Sequence, residues 1–199
     1  MGTDIALYAE LHDYGNWKPV PDPVRNRYSE NHELVPCEVL DLGRPYSLFS
    51  VLSGGSVGLL SVNDQIPAIS KPRGFPEDMN ECYQDFVERA CDSEGGDYGA
   101  SWLMLAELID FDWEQKVNRS AYVTRKYAKL FHKHEPFPEH FPKDEKLYHG
   151  LFHSPPETTE KFHWCVSVAD YVGCHEVLIE ALKRLGPKDK LRIIYWFNS

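Results

Sequence analysis

The 199-residue sequence lacks long hydrophobic runs, and its cysteines are few and scattered. No apolar stretch approaches the roughly 18 to 20 residues that a membrane-spanning helix needs, and the chain does not open with a basic segment followed by an apolar one. The five cysteines are odd in number and include no Cys-x-x-Cys pair, which argues against an extracellular disulfide framework. We therefore expect a cytoplasmic protein with free thiols and no membrane partner.

Recognised catalytic and cofactor motifs are also missing. The sequence has no Gly-x-Ser-x-Gly, no His-Glu-x-x-His and no cysteine–histidine set at zinc spacing. Nine histidines are present, but the close pairs, His132 with His134 and His149 with His153, lie in a proline-rich region that suits no helical metal site. We expect no metal and no other cofactor, and we assign no catalytic residue from these motifs.

Charge is distributed unevenly along the chain. The net charge is −10, and the first hundred residues hold 17 acidic and 7 basic side chains, whereas the remainder holds 14 of each. Such a surface repels phosphate backbones, so bulk nucleic acid is not an expected partner. The acidic side chains are densest over residues 77–97, a pattern typical of a solvated helix face.

Hydrophobic periodicity predicts strands at both ends of the chain. Residues 4–12 alternate in polarity, and a turn at 13–16 leads to a return strand that begins at Trp17. The C-terminal elements we predict are a strand at 162–168, a helix at 175–185, Gly186 in a left-handed conformation, and a strand at 191–197. The other predicted helices are 45–52, Pro76 to about Cys91, Trp102–Ile109 with Ser101 as N-cap, and about Asn118–Leu130.

These elements predict an α+β fold. A strand–helix–strand crossover favours a parallel pair, which would lie at the centre of a mixed sheet. We expect a single domain, residues 1–199, whose mixed β-sheet contains the N- and C-terminal strands, with helices mainly on one face. Residues 132–156, rich in proline and histidine, form an excursion across an edge, with Phe137, Phe141 and Phe152 as anchors.

Two segments carry candidate binding residues. Lys71-Pro72-Arg73-Gly74 is a proline-fixed turn at an expected helix entrance, where Arg73 either binds an anion or neutralises the acidic helix that follows. Residues 96–102 combine glycines, Asp97, an aromatic ring and the expected helix start at Ser101. Ligand sites favour such loops, and a hinge between two helices has the same composition.

The order of several motifs resembles an uncharacterised family of short bacterial and bacteriophage proteins. The matching segments are Met1–Ala6, Tyr46–Phe49, Pro72–Asp78, Ser101–Leu108, Asp112-Trp113 and Arg192–Asn198. The family has Met-Gly-Cys-Asp-Ile-His, Tyr-x-Leu-Phe, Pro-Arg-Gly-Leu-Pro-x-Asp, His-Ser-x-Ser-(Trp/Tyr)-Leu-Thr-Leu-x-Glu-Leu, Asp-Trp and a Phe-Trp-Phe-Asp end in the same order. This chain has Ala6 and Gly99 or Ala100 where the family has histidines, and Asn198 where it has the last aspartate.

The loss of those histidines favours binding over catalysis. The candidate ligand-binding residues are Asp4, Arg73, Asp97, Ser101, Trp102 and Glu107. We expect a phage-type accessory protein that binds a small anionic ligand of nucleotide-derived type, with Arg73 on phosphate, Trp102 stacked on a base and two helix N-termini facing the same cleft. A second copy of the chain or a host protein is a further partner class left open.

Two alternatives remain at this stage. One is a hydrolase that pairs Asp4 with His12 or His163. The other is an inhibitor that binds a host protein through the acidic face of residues 77–97.

Overall fold

The computed structural model describes residues 4–20, 45–53, 66–83, 98–132, 134–149 and 155–198. Its elements in chain order are β1 (Asp4–Asp13), β2 (Asn16–Pro19), α1 (Tyr46–Ser53), β3 (Tyr98–Met104), α2 (Leu105–Asp110), β4 (Lys116–Thr124), a 3₁₀ helix (Arg125–Leu130), β5 (Thr159–Ser167), α3 (Val168–Val172), α4 (His175–Lys183) and β6 (Leu191–Asn198). None of the helices in these ranges is long and apolar enough to cross a membrane.

The larger sheet has four strands in the order β2-β1-β6-β3. Its pairings are all antiparallel, and β6, rich in β-branched and aromatic residues, lies between β1 and β3. The first and last strands of the described chain are therefore direct neighbours. This confirms the predicted α+β fold with both terminal strands in one sheet.

One face of this sheet forms the main core with the helices. Leu7, Leu103, Ile193 and Phe197 point to this side and pack against apolar residues of α1, α2 and α4. The residues of these three helices in the cluster are Leu48, Phe49, Val51, Leu52, Leu105, Leu108, Leu178, Ile179 and Leu182. Burying each such side chain contributes about 1.5 to 3 kcal/mol, so the helices stay on this face as predicted.

The opposite face is covered by residues 75–83, of which 75–80 are irregular and 81–83 have helical geometry. Tyr8 and Trp196 stack there with ring centroids 5.3 Å apart, and Met79, Tyr83 and Ile194 complete the buried cluster. The Tyr83 hydroxyl donates a hydrogen bond of 2.7 Å to the carbonyl of Ala9. The predicted helix from Pro76 does not begin there: residues 76–80 form turns, helical geometry starts at 81, and residues 84–91 lie outside the described ranges.

β4 and β5 form a separate two-stranded antiparallel sheet. A cluster around Phe131 and Trp164 covers one face, and Phe137 and Phe141 pack into it as the predicted anchors. The excursion also bridges to both strands: its Tyr148 pairs with Tyr122 of β4, and its Pro136 pairs with Cys165 of β5. The excursion therefore packs on this small sheet, whereas we expected it across an edge of a single sheet; Phe152 lies outside the described residues.

Three predicted elements are wrong, each for a physical reason. The C-terminal crossover does not make a parallel pair, because β5 joins β4 and β6 joins β1 and β3, all antiparallel. The predicted helix at 118–130 is β4 followed by the 3₁₀ helix, because Val117, Ala121 and Val123 follow the period of two of a half-buried strand. The helix predicted from Trp102 begins at Leu105, because residues 98–104 pair with β6 instead.

Gly186 also differs from its predicted role. It is not among the glycines with positive φ in the described chain. A Cβ atom at this position would lie 2.5 Å from Cδ1 of Leu11. A side chain at this position would displace the Leu11 methyl group, so glycine here serves close packing against β1 and not a left-handed helix end.

Gly99 provides a test of how tightly β3 packs on β6. Its φ is +67°, and an added Cβ would lie 2.9 Å from Cδ2 of the buried Phe197 ring. Gly15 has a φ of +87° with nothing within 4 Å of an added Cβ, so Gly15→Ala carries the backbone strain alone. We predict that Gly99→Ala lowers the free energy of unfolding by roughly 1 to 3 kcal/mol more than Gly15→Ala in urea titrations. Equal losses would contradict a rigid contact at Phe197.

Candidate functional site

The backbone of Arg73 lies beside β3, the edge strand of the larger sheet. The amide of Arg73 donates to the Ser101 hydroxyl at 3.0 Å, and the amide of Gly74 donates to the carbonyl of Ala100 at 3.1 Å. Gly74 has a φ of +73°, which allows the turn at this point. The two sequence segments that carry candidate residues therefore meet at Arg73 and Ser101.

The Arg73 side chain holds a carboxylate in bidentate geometry. Its Nη1 donates to Oε2 of Glu107 at 2.8 Å, and its Nη2 donates to Oε1 at 2.5 Å. The guanidinium carbon lies 4.6 Å from the centroid of the Trp102 ring, and Nη1 lies 3.3 Å from the Trp102 carbonyl. Arg73, Trp102 and Glu107 thus form one cluster in which the guanidinium lies over the indole.

Glu107 also closes the start of α2. Its Oε2 accepts a 2.9 Å hydrogen bond from the amide of Met104, the residue that precedes the helix. Hydrogen bonds from Arg73 hold the pKa of Glu107 below its usual range, and the same hydrogen bonds raise the pKa of Arg73. The two side chains are 29% and 34% exposed, so water reaches the pair.

Ser101 has a different role from the one predicted. It lies in β3 and is fully buried, so it neither caps a helix nor faces a ligand. Its hydroxyl accepts a hydrogen bond from the amide of Arg73 and forms another with the phenol oxygen of Tyr195. The Tyr195 hydroxyl in turn donates at 2.9 Å to the carbonyl of Leu52. Burial raises the pKa of Tyr195. Ser101 therefore links the segment that carries Arg73 to β6 and α1.

A second polar cluster lies on the same face of the sheet, and the sequence did not reveal it. Arg192 of β6 donates from Nε to Oε2 of Glu10 at 2.7 Å and from Nη1 to Oδ1 of Asp78 at 2.6 Å. Asp78 Oδ2 accepts from the indole of Trp17 at 2.8 Å, and the amide of Asn80 donates to Oε1 of Glu10 at 2.8 Å. The available signal was Arg192 as the single charged residue of the apolar run that forms β6.

Burial separates the two carboxylates of this cluster. Glu10 is 0% exposed, and desolvation raises its pKa despite the opposing effects of Asn80 and Arg192. Asp78 is 67% exposed, and its hydrogen bond with Arg192 lowers its pKa. Desolvation prevails at Glu10 because no solvent offsets it there, whereas water stabilises the charge of Asp78.

The two clusters form a continuous row of cations and aromatic rings. Arg73 lies over Trp102, and the guanidinium carbon of Arg192 lies 5.9 Å from Trp102 and 3.9 Å from Trp17. Each arginine of the row is paired with a carboxylate. The predicted cleft between two helix N-termini is wrong, since Ser101 lies in a strand and residues 76–80 form turns.

The backbone of Asp4 lies apart from this cluster. Asp4 pairs with Asn198 at the start of β1, whereas Ser101 pairs with Tyr195. Asp4 is therefore two strands, about 10 Å, across the sheet and three residues, about 10 Å, along it from the position of Ser101. Asp97 lies outside the described residues.

The geometry also bears on the two alternative functions. His12 is eight residues from Asp4 along the same extended strand, about 26 Å away, and His163 lies in the other sheet, opposite Ser120. An Asp4–His12 catalytic pair is therefore wrong. Within the described part of the chain, no group of three histidine, cysteine, aspartate or glutamate side chains is arranged to hold a metal ion. The acidic face stays a prediction, since residues 84–97 lie outside that part.

The pH dependence of stability tests the Arg73–Glu107 pair. Because the folded-state pKa of Glu107 lies below its ordinary value of 4.5, the unfolded chain binds this proton more readily. The stability that the pair contributes is thus present above the ordinary pKa and is lost as the pH falls through the folded pKa. We predict that Glu107→Gln loses less stability than the wild type between about pH 5 and pH 3 in urea unfolding.

Glu180→Gln is the matched control for this experiment. Lys183 also lowers the pKa of Glu180, but this pair lies on the surface of α4, where solvent screens it, so the acid-side loss should stay as in the wild type. Glu10 acts in the opposite direction, because its raised pKa gives stability at low pH that is lost as the pH rises, and this effect is common to all three proteins. Equal acid-side losses in wild type and Glu107→Gln would contradict the assigned pair.

Comparisons with models of known protein families, with curated proteins and with solved structures gave no match. The resemblance to a bacterial and bacteriophage family therefore stays a prediction from the motifs. The candidate site is defined by its own residues: Arg73, Trp102 and Glu107 at the surface, with Ser101 buried beneath them.

Proposed function

We propose that this protein binds a small anionic ligand, and that the ligand takes the place of Glu107 at the guanidinium of Arg73. The observation that carries this proposal is the bidentate grip of Arg73 on a carboxylate over the Trp102 ring, at a partly exposed position. The planar fork of arginine suits carboxylate and phosphate oxyanions equally in shape. Glu107 thus acts as an internal stand-in for the ligand.

Replacing Glu107 by a ligand at Arg73 costs little free energy, because water screens the ion pair. Ion pairs of this exposure contribute about 0 to 1 kcal/mol. A phosphate group carries up to two negative charges and three acceptor oxygens, so it competes well with a single carboxylate. Glu107 keeps its hydrogen bond from the Met104 amide when Arg73 is released, so α2 keeps its closed start.

The ring of Trp102 limits what the ligand contacts. Arg73 covers one face of the indole, which therefore serves to orient the guanidinium. A nucleotide-derived ligand would be recognised through its phosphate and not through a base stacked between Arg73 and Trp102. The role of a phage-type accessory protein, acting in a host cytoplasm, belongs to this proposal through the motif resemblance.

The test is calorimetric titration with inorganic phosphate, AMP and a cyclic dinucleotide. Removing the internal competitor with Glu107→Gln should strengthen binding by up to about fivefold, equivalent to the roughly 1 kcal/mol of a screened pair. Arg73→Ala should weaken binding by about 1.5 to 3 kcal/mol, the range for hydrogen bonds to charged groups. The melting temperature of Arg73→Ala should change little, because its amide bond to Ser101 remains.

Asp110→Asn controls for the change in local charge. Asp110 lies on α2 near Glu107, is 65% exposed and pairs with Lys188, so its substitution alters the field without freeing Arg73. If Asp110→Asn and Glu107→Gln strengthened ligand binding equally, the effect would come from the change in net charge, and the proposed replacement of Glu107 by the ligand would be refuted. Unfolding of Arg73→Ala, or no binding to the wild type below millimolar concentrations, would also overturn the proposal.

A further inference from the structure

Arg119 forms no ion pair with a carboxylate in the described part of the chain. It lies on β4, opposite Trp164 of β5. Its guanidinium carbon is 4.8 Å from the centroid of the Tyr171 ring and 5.9 Å from that of Trp164. Aromatic rings of two elements, β5 and α3, thus flank this cation.

The hydrogen-bond donors of Arg119 are not satisfied by these rings. Its Nε atom is buried and has no hydrogen-bond partner, and no ion pair joins Arg119 to any residue of the described ranges. Arg73 and Arg192, by contrast, each bind a carboxylate. Buried polar groups in folded proteins are nearly always paired, so an orphaned guanidinium nitrogen points to a missing acceptor.

The sequence around Arg119 also favours an anion. Residues 116–130, which form β4 and the 3₁₀ helix, contain five basic side chains and no acidic one, in a chain whose net charge is −10. One of the five, Lys126, pairs with Glu145 at 3.6 Å. No ion pair joins the other four to a carboxylate of the described ranges, so this segment is locally basic in an acidic chain.

We propose that Arg119, flanked by Trp164 and Tyr171, is a second site that binds the oxyanion of a small phosphate or carboxylate ligand. The rings lie 4.8 and 5.9 Å from the guanidinium carbon and supply no acceptor oxygen, so an oxyanion would supply the acceptor that the Nε–H group lacks. Arg119 as a whole is partly exposed, so an ion can reach the side chain from solvent. The site lies in the two-stranded sheet and is independent of the exchange proposed at Arg73.

The test observes the Nε–H resonance of Arg119 by nitrogen-15 NMR during titration with sodium phosphate, and separately with sodium acetate, at constant ionic strength. We expect a saturable downfield shift of this resonance with at least one of the two anions, and the comparison tells phosphate from carboxylate recognition. Arg119→Lys keeps the charge but loses the fork and the Nε–H resonance, so its binding is followed through the backbone amide resonances of β4, and it should be weaker on the order of ten- to a hundredfold. Arg125→Lys is the matched control, because Arg125 is exposed on the neighbouring 3₁₀ helix.

The outcomes separate this site from the one at Arg73, whose Nε–H resonance reports its own occupancy. A shift of Arg119 that does not saturate with either anion, or binding that Arg125→Lys weakens as strongly as Arg119→Lys does, would overturn the proposal. Because the resonance is followed in the wild-type protein, a variant that fails to fold leaves the test intact. Saturation at Arg119 that persists when Arg73 is replaced by alanine would establish the two sites as separate.

Discussion

The buried guanidinium of Arg192 imposes the main constraint on this structure. Arg192 lies in β6, the strand between β1 and β3, and its side chain is 3% exposed. A charge so far from water must be neutralised and hydrogen-bonded, and removing one partner of such a pair costs about 3 to 5 kcal/mol. Glu10 of β1 supplies the buried counter-charge. Asp78 supplies a second one from residues 75–80, the segment that covers this face of the sheet.

This requirement explains how an irregular segment covers a sheet face. Residues 75–80 form no ladder with the strands, so side chains must hold them in place. Asn80 donates from its amide to Glu10 and from its side chain to the carbonyl of Trp17, while Met79 packs against the aromatic residues of the sheet. The polar cluster and the apolar contacts thus stabilise the same segment.

Depth of burial separates a structural arginine from an exchangeable one. Arg192 and Arg73 both bind carboxylates and both lie against a tryptophan ring. Arg192 is 3% exposed and cannot release its partner without leaving a buried charge, whereas Arg73 is 29% exposed and can. The fixed end of the row holds the segment, and the exposed end is free to bind a ligand.

The sequence was informative where local pattern decides structure. Alternation predicted β1, and the apolar spacing of α4 and the β-branched run of β6 predicted those elements close to their bounds. It failed where strand pairing decides the structure. The apolar spacing of Leu105 and Leu108 fits a helix that starts earlier, but the residues before Leu105 pair with β6 as strand β3. The contact between Glu10 and Arg192 joins residues 182 positions apart, and no local pattern encodes it.

The candidate site shows the same division. The motifs predicted Arg73 in one cleft with Asp4 and residues 97–102, but they did not predict the ion pair of Arg73 with Glu107, which was expected to contact the ligand itself. Arg119 was assigned to a helix, and only the strand pairing with Trp164 reveals its aromatic surroundings. Side-chain pairing therefore required the tertiary structure.

Native-state hydrogen exchange at the amide of Asn80 tests the central claim most directly, since this amide donates to the buried carboxylate of Glu10. If Arg192 fixes Glu10 and the covering segment, Arg192→Met should remove most of the protection of this amide, whereas Arg73→Ala should leave it almost unchanged. Unchanged protection in Arg192→Met, or equal loss in both variants, would contradict the division between a fixed and an exchangeable arginine.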